Sequence, residues 1–431
     1  MSARKLITRL FGVVGARAAA AAFGLLSQLA LARMFSPADV GIFLLTTSIM
    51  AFGSLLMTGG YPALGFIYLA RYQSLARKAL VEAFHAAALR TTLVLTAVMA
   101  VVAAIAYFTP ALAAMRQAIL FGALAAPGLA LIRLNNSAAN SLRLFNLSYV
   151  PDFVLRSGLI FLAIMVIIAL APQPEMVWVL WAIVISTYAA ALIQAVLLGR
   201  SGVLAKAFSA RRRSLAAFYR LRAGALLVGA FVSVAFAEIV TLVAGLLLPP
   251  ADVAVVGIAV RLASIAGFVV QTMQVIAIPD LTDTMTKGTH AAADRLMRRT
   301  NLANFALMAM AILATLVLGD WALSLFGTDY QAGKWVLILF LLSQTVRSAG
   351  TMNNHLLSLG GHQSRTAVVC AISLVVLFGA AAGLTPYLGI DGIGFATLAA
   401  ECVWAVGLAV SAQSLTGRRG DLLAGFGSRI S

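Results

Sequence analysis

Negative charge is what this sequence has least of. Only 14 of its 431 residues are Asp or Glu, four are His, two are Cys, and all charged residues together make up 10% of the chain. Soluble domains carry about 25% charged residues, so a soluble globular protein is excluded. The shortage also thins out the chemistry available. His85, His290, His355 and His362 show no H-E-x-x-H or paired spacing, which leaves no signal for a metal or catalytic site built from them. Asp280-Leu281-Thr282-Asp283 is the nearest approach to a metal-binding acidic pair, yet it lacks the further oxygen ligands a Mg²⁺ site wants and reads as polar residues at a helix exit. Gly333-Lys334-Trp335 has neither the upstream glycine spacing nor the Ser/Thr of a phosphate-binding loop, so no ATPase is expected. Cys370 and Cys402 fall in apolar segments and read as small buried hydrophobes, not as a disulfide framework. No loop is long enough to fold alone, and neither an enzyme nor a cofactor is expected.

Apolar sequence fills the space, at 62% of the chain. With about 20 apolar residues as the spanning unit, about twelve segments emerge, centred near residues 23, 52, 97, 129, 160, 188, 236, 265, 308, 345, 375 and 402. The first begins like a signal peptide, with Arg4, Lys5 and Arg9 before an alanine-rich run. Arg17 interrupts that run and apolar character resumes through Phe35, so it reads as an uncleaved transmembrane helix. Pro62, Pro127 and Pro279 read as kinks tolerated in membrane helices, with Pro62 and Pro279 at near-matching places in the two halves.

The halves are rough copies. Phe35-Ser36-Pro37-Ala38-Asp39-Val40 is matched by Leu248-Pro249-Pro250-Ala251-Asp252-Val253, an offset of 213 from Pro37 to Pro250. Asn135-Asn136 is matched by Asn353-Asn354 at an offset of 218. Two pairs with nearly one offset indicate an internal duplication. The expected fold is therefore an all-α polytopic membrane protein, its transmembrane helices set in two pseudo-symmetric six-helix lobes. The N-terminal lobe covers 1–199, a cytoplasmic basic amphipathic linker 200–222, the C-terminal lobe 223–415 and a cytoplasmic tail 416–431.

The net charge is +17. Basic residues gather in alternate loops, most densely in the linker with Arg200, Lys206, Arg211, Arg212, Arg213, Arg220 and Arg222. The opposite loops hold only Arg33, Arg116 and Lys334. By the positive-inside rule the linker and both termini are cytoplasmic, so the charge is a topology signal and no nucleic-acid partner is needed to explain it. Within the linker, Leu204, Phe208, Leu215 and Phe218 share one helical face while Lys206, Arg213 and Arg220 recur on the other, as in a helix lying at the headgroup level.

Six charges remain inside predicted spans: Arg17, Arg133, Arg261, Arg347, Glu238 and Glu401. Each arginine costs about 2.5–3.5 kcal/mol at a helix centre unless it faces water or a partner. Their helices carry polar stripes. Arg17, Ala21, Gly24 and Gln28 share one face of the first span; Gln344, Arg347, Thr351 and Asn354 share one of the tenth; Arg133, Asn136 and Asn140 line the fourth; and Arg261 sits beside Ser264 on the eighth. Such stripes suit a water-filled vestibule between the lobes. Arg133 and Arg17 lie close enough to a cytoplasmic end to snorkel outward instead. Glu238 suits either ion coupling or neutralisation of Arg261, and Glu401 suits a structural partner.

The run Leu31-Ala32-Arg33-Met34-Phe35-Ser36-Pro37-Ala38-Asp39-Val40-Gly41-Ile42-Phe43 resembles the signature after the first helix of polysaccharide flippases in the multidrug/oligosaccharidyl-lipid/polysaccharide exporter superfamily. The second half departs from it, with Val255-Val256-Gly257 in place of Gly-Ile-Phe. The resemblance implies transport of an undecaprenyl-diphosphate-linked oligosaccharide from the cytoplasmic to the periplasmic leaflet of the bacterial inner membrane, by alternating access. Its partners would be that polyprenyl-diphosphate-linked glycan, membrane lipids, and a polysaccharide polymerase and glycosyltransferases, with the carrier itself a monomer. In a relative that flips the peptidoglycan precursor lipid II, basic residues on the first and eighth helices act on the substrate; Arg17 and Arg261 stand on the matching helices here. The residues fit a diphosphate, because guanidinium groups chelate phosphate oxygens bidentately and arginine supplies 26 of the 31 basic residues. A multidrug exporter of the same superfamily would need an acidic cavity for organic cations, and a membrane enzyme of glycan assembly a large external loop or acidic cluster.

Overall fold

The computed structural model describes residues 3–421 except 76, 143, 201–218, 220–222, 225, 226, 228–234 and 287–289. The amphipathic linker, apart from Arg200 and Tyr219, and most of the tail thus lie outside the described residues. The helices, in chain order, are α1 (Ala3–Met34), α2 (Pro37–Thr58), α3 (Tyr61–Ser74), α4 (Lys78–Phe108), α5 (Arg116–Ser141), α6 (Phe145–Tyr149), α7 (Arg156–Leu170), α8 (Met176–Gly199), α9 (Phe236–Leu247), α10 (Pro250–Thr286), α11 (His290–Ser324), α12 (Lys334–Leu359), α13 (Gln363–Leu388) and α14 (Ile390–Thr416). Among the described residues eleven helical spans are long and apolar enough to cross a membrane, and they coincide with eleven of the segments expected from the sequence; the remaining one, near residue 236, is described only as the short apolar helix Phe236–Leu247. The protein is a multi-pass membrane protein. Large apolar side chains such as Val94, Val101 and Ile105 on α4, or Leu313 and Val317 on α11, lie exposed along its surface, where a bilayer covers them at no cost.

The chain forms two compact units, Met1–Leu242 and Val243–Ser431. Their helices repeat. A 3₁₀ turn at Pro110–Met115 runs into α5, and another at Thr328–Gly333 runs into α12, which keeps the offset of 218 between Arg116 and Lys334. The other repeat signal marks a helix start in both units, with Pro37 and Pro250 as the first residues of α2 and α10. Proline suits that position because its missing N–H has no intrahelical partner there. In the first unit Ser36 caps the helix, accepting from Asp39 N at 3.2 Å and donating to Asp39 Oδ2 at 2.6 Å. Pro249 stands at the equivalent place and offers only its backbone carbonyl, to Asp252 N at 3.0 Å.

Small residues hold each unit together. In the first, α5 packs on α2, α4 and α8, with Ala118, Ala125, Ala130 and Ala139 fully buried. A Cβ on Gly122 would meet Ile49 of α2 at 2.7 Å, and one on Gly128 would meet Thr187 of α8 at 3.2 Å. In the second unit α12 takes that place against α10, α11 and α14. There a Cβ on Gly350 would meet Trp404 at 2.7 Å, and one on Gly394 would meet Leu339 at 2.7 Å. With no hydrophobic gain to be had between helices in lipid, close van der Waals approach is what binds them.

Three details depart from the sequence reading. Pro62 does not kink a span: it stands in the first turn of α3, a helix the sequence reading took for loop, entered through Gly59 (φ 55°) and Gly60 (φ 82°). Arg90, read as a loop residue, lies exposed within α4. Cys370 is buried as expected, but Cys402 is exposed on α14. At the end of α14 the chain turns back, and Gly420 donates its N–H to Asn353 Oδ1 and accepts from Asn301 Nδ2, each at 2.6 Å.

Candidate functional site

The intramembrane polar residues fall into one group in each unit. In the first unit they gather around a π-helical turn, Val150–Leu155, between α6 and α7. Asn136 of α5 donates from Nδ2 to Asp152 Oδ2 at 2.9 Å, and its Oδ1 accepts from Gln194 Nε2 of α8 at 2.7 Å. Gln194 donates also to Leu147 O at 3.0 Å, and Asn140 Nδ2 donates to Ser148 Oγ at 2.6 Å. Asp152 is paired one helical turn on with Arg156, at 3.4 Å. A wide turn that would leave backbone and side-chain groups unmet inside a membrane is therefore tied on two sides.

Arg133, one turn before Asn136 on α5, is half-buried; its Nη2 reaches Ala51 O of α2 at 3.4 Å, and its charged neighbours are Asp152, Arg156 and Glu238. Glu238 of α9 accepts from Ser48 Oγ of α2 at 2.6 Å. Asp152, Arg156, Gln194 and Ser48 are members of this group that the sequence reading missed. The i, i+4 spacing of Asp152 and Arg156 at the start of an apolar segment was the available signal.

Arg17 stands apart from these pairs. It is exposed on α1, and its guanidinium carbon lies 5.5 Å from the ring centroid of Phe153, the residue after Asp152. Phe153 in turn stacks on Tyr149, with centroids 6.0 Å apart and planes at 18°. No acidic side chain or other hydrogen-bond partner meets Arg17 among the described residues. Along the expected stripe Ala21 is exposed, a Cβ on Gly24 would meet no atom within 4 Å, and Gln28 is 6% exposed with its Oε1 unpartnered among the described residues. The stripe thus leads from an open surface to a buried amide.

In the second unit Arg347 of α12 is spent on Glu401 of α14. Both its Nε, at 2.9 Å, and its Nη2 donate to Glu401 Oε1, while its guanidinium lies 5.3 Å from the Trp404 ring centroid. Glu401 is 1% exposed and its Oε2 has no partner among the described residues. Gln344 of α12 lies against Gly267 of α10, where a Cβ would stand 3.1 Å from its Oε1. Arg261 of α10 is half-buried and reaches Gly257 O in its own helix at 3.4 Å; Asn354 is half-buried beside the fully buried Asn353. Among the described residues no group of three or more His, Cys, Asp or Glu side chains is placed to hold a metal ion.

No family model matches the sequence, and no curated protein sequence matches it. Its likeness is to solved structures. The inward-facing conformation of a multidrug resistance MATE family transporter of the MOP superfamily superposes with a TM-score of 0.72 at 17% identity, over 92% of this chain and 94% of that one. The lipid II flippase MurJ in an inward closed conformation gives a TM-score of 0.66 at 11% identity, over 91% of this chain and 85% of that one. A point mutant of the Vibrio cholerae MATE transporter VcmN gives 0.61 at 14% identity, over 95% and 96%. The chain has the fold shared by these transporters and the flippase.

Proposed function

We propose that the protein is a flippase that moves an undecaprenyl-diphosphate-linked oligosaccharide from the cytoplasmic to the periplasmic leaflet of a bacterial inner membrane by alternating access, in the assembly of a cell-surface or exported polysaccharide such as O-antigen or exopolysaccharide. The observation that carries this reading is the state of the intramembrane charges. Glu401 is neutralised by Arg347 and Glu238 accepts a hydroxyl, whereas Arg17 is exposed and meets no acid among the described residues. A site that offers an unpaired guanidinium suits an anion, and a diphosphate accepts its N–H fork bidentately. In the first unit the amide of Gln28, and in the second those of Gln344 and the half-buried Asn354, are groups that suit sugar hydroxyls.

An outward step of two negative charges along an inside-negative potential releases about 4.6 kcal/mol per 100 mV, so the potential alone can bias the direction. The same outward step for an organic cation runs against the potential. The multidrug MATE transporters of this fold make export of organic cations the competing reading, and it requires an acid free to receive them. Both termini are cytoplasmic in the topology we infer, and a polymerase and glycosyltransferases of the same glycan are the expected partners.

The test is translocation of a fluorescent undecaprenyl-diphosphate sugar in proteoliposomes under an imposed potential, comparing the wild type with Arg17→Ala and Arg261→Ala at matched insertion. Loss of a charge-assisted fork worth about 1.5–3 kcal/mol predicts roughly 10- to 150-fold slower flipping for Arg17→Ala. Equal rates in all three proteins would remove the arginines from the path, and transport of organic cations in place of the lipid would favour the exporter.

A further inference from the structure

A guanidinium is useful to a phosphate only if its in-plane N–H edges are free and pointed. Arg17 achieves the first by meeting no acid among the described residues, and for the second it has an aromatic ring against its guanidinium. Its guanidinium carbon is 5.5 Å from the Phe153 centroid, a distance at which the ring quadrupole attracts the cation without the need for a hydrogen-bond partner. Phe153 is not a loosely held ring. It stacks on Tyr149 four residues earlier, and it sits in the π turn whose next-door Asp152 is held by Asn136 of α5 and paired with Arg156. π turns inside helices recur at functional sites, where the regular register of side chains is interrupted. Here the turn sets an aromatic ring under an arginine borne by another helix, at the foot of the stripe that leads past open Gly24 to the buried Gln28 amide.

From this geometry we infer that Phe153 is a positioning residue for substrate recognition: itself stacked on Tyr149, it holds the Arg17 guanidinium in place to chelate a phosphate group. The inference deepens the flippase reading and rests on it for the identity of the ligand, the diphosphate of a polyprenyl carrier. The same chemistry would also be offered by the headgroup of an anionic phospholipid, and the two sources are separable. Phe153 touches no phosphate itself. Its removal should therefore act only through Arg17.

The experiment uses the full chain in nanodiscs of zwitterionic lipid, with binding of undecaprenyl diphosphate measured for wild type, Phe153→Leu, Phe153→Tyr, Arg17→Ala and the double variant Arg17→Ala/Phe153→Leu. Phe153→Leu should weaken binding about two- to fivefold, the worth of one partly exposed cation–π contact, and Phe153→Tyr should restore it. In the Arg17→Ala background the Phe153→Leu change should do nothing further, which a general loss of packing would not reproduce. Unchanged affinity in Phe153→Leu, or an equal loss with and without Arg17, overturns the inference. Thermal midpoints matched to wild type guard against misfolding. If Phe153→Leu is unstable, Phe153→Ile with the same pair of backgrounds decides the question in its place. Nanodiscs of anionic phosphatidylglycerol without the polyprenyl probe separate the sources. If wild type ignores undecaprenyl diphosphate but selects the anionic lipid, and Phe153→Leu loses that selection, the flippase reading fails while the positioning role stands.

Discussion

Arg347→Ala should destabilise the second unit far more than it would a surface arginine. The partner it abandons, Glu401, is 1% exposed, and the one carboxylate oxygen with donors, Oε1, takes both from Arg347; Oε2 has none among the described residues. Breaking a buried pair by removing one member costs about 3–5 kcal/mol, since the remaining charge loses its counterion without regaining water. For a body of this size that is a fall of about 6–20 °C in unfolding midpoint, at roughly 2–4 °C per kcal/mol. Removing both charges should be milder. Arg347→Met with Glu401→Gln keeps the volume and leaves a neutral amide, and ought to recover at least half of the loss. The assay is a double-mutant cycle by thermal unfolding in one detergent at one scan rate, because midpoints of membrane proteins depend on both. An Arg347→Ala protein as stable as wild type, or a double variant no better than Arg347→Ala, would refute the argument that burial of the carboxylate sets the magnitude. The cycle also separates stability from transport: flipping that recovers along with the midpoint assigns Arg347 to the scaffold, whereas a rescued midpoint with no flipping returns it to the substrate path.

Ser48→Ala removes the 2.6 Å donor to Glu238 and should cost about 1.5–3 kcal/mol, read as a lowered midpoint that Glu238→Gln does not share in full. Gly60→Ala places a Cβ at φ 82° against the carbonyl of Ala223, so it should lower the midpoint by more than the ~1–3 kcal/mol of a strained φ alone, while an alanine at open Gly24 should be silent in the same scan. Gly420→Val would set a Cβ 2.8 Å from the Met352 carbonyl carbon and strain both hydrogen bonds to Asn301 and Asn353, and the thermal midpoint should fall. Burial and the Tyr72 hydroxyl at 2.9 Å push the Tyr219 phenol above its ordinary value near 10. The neutral form is the one the fold favours, so this contribution is complete below about pH 10 and is lost as pH climbs beyond it; Tyr219→Phe should flatten the alkaline limb of a midpoint-against-pH curve.

The spans were legible because a bilayer imposes a length and a composition that a single sequence displays openly, and the duplication because Pro37/Pro250 and Asn135/Asn353 fell at nearly one offset. The short helix α3 was hidden: Tyr61–Ser74 carries Arg71, Gln73 and three tyrosines, reads as a polar loop, and is fixed by packing of Tyr61 and Leu64 against Phe84 and Tyr219. Glu401 was read as a structural partner and is one, to Arg347. Periodicity put Gln344, Arg347 and Asn354 on one stripe but is blind to what faces it from another helix, so it did not show that Arg347 is occupied. Asp152 and Arg156 escaped for a different reason. Charges near a predicted loop read as topology, and only the π turn brings them under α5.

Each unit draws its closest helix contacts, α2 with α5 and α5 with α8 in one, α12 with α14 and α13 with α14 in the other, from its own half of the chain. During synthesis this has a consequence in time. The residues of the first unit have all been made by Leu242, while the second unit, at about 5–20 residues per second, still needs on the order of 10–40 s to be made. The helix contacts just named within the early half can therefore form while the late half is still being made.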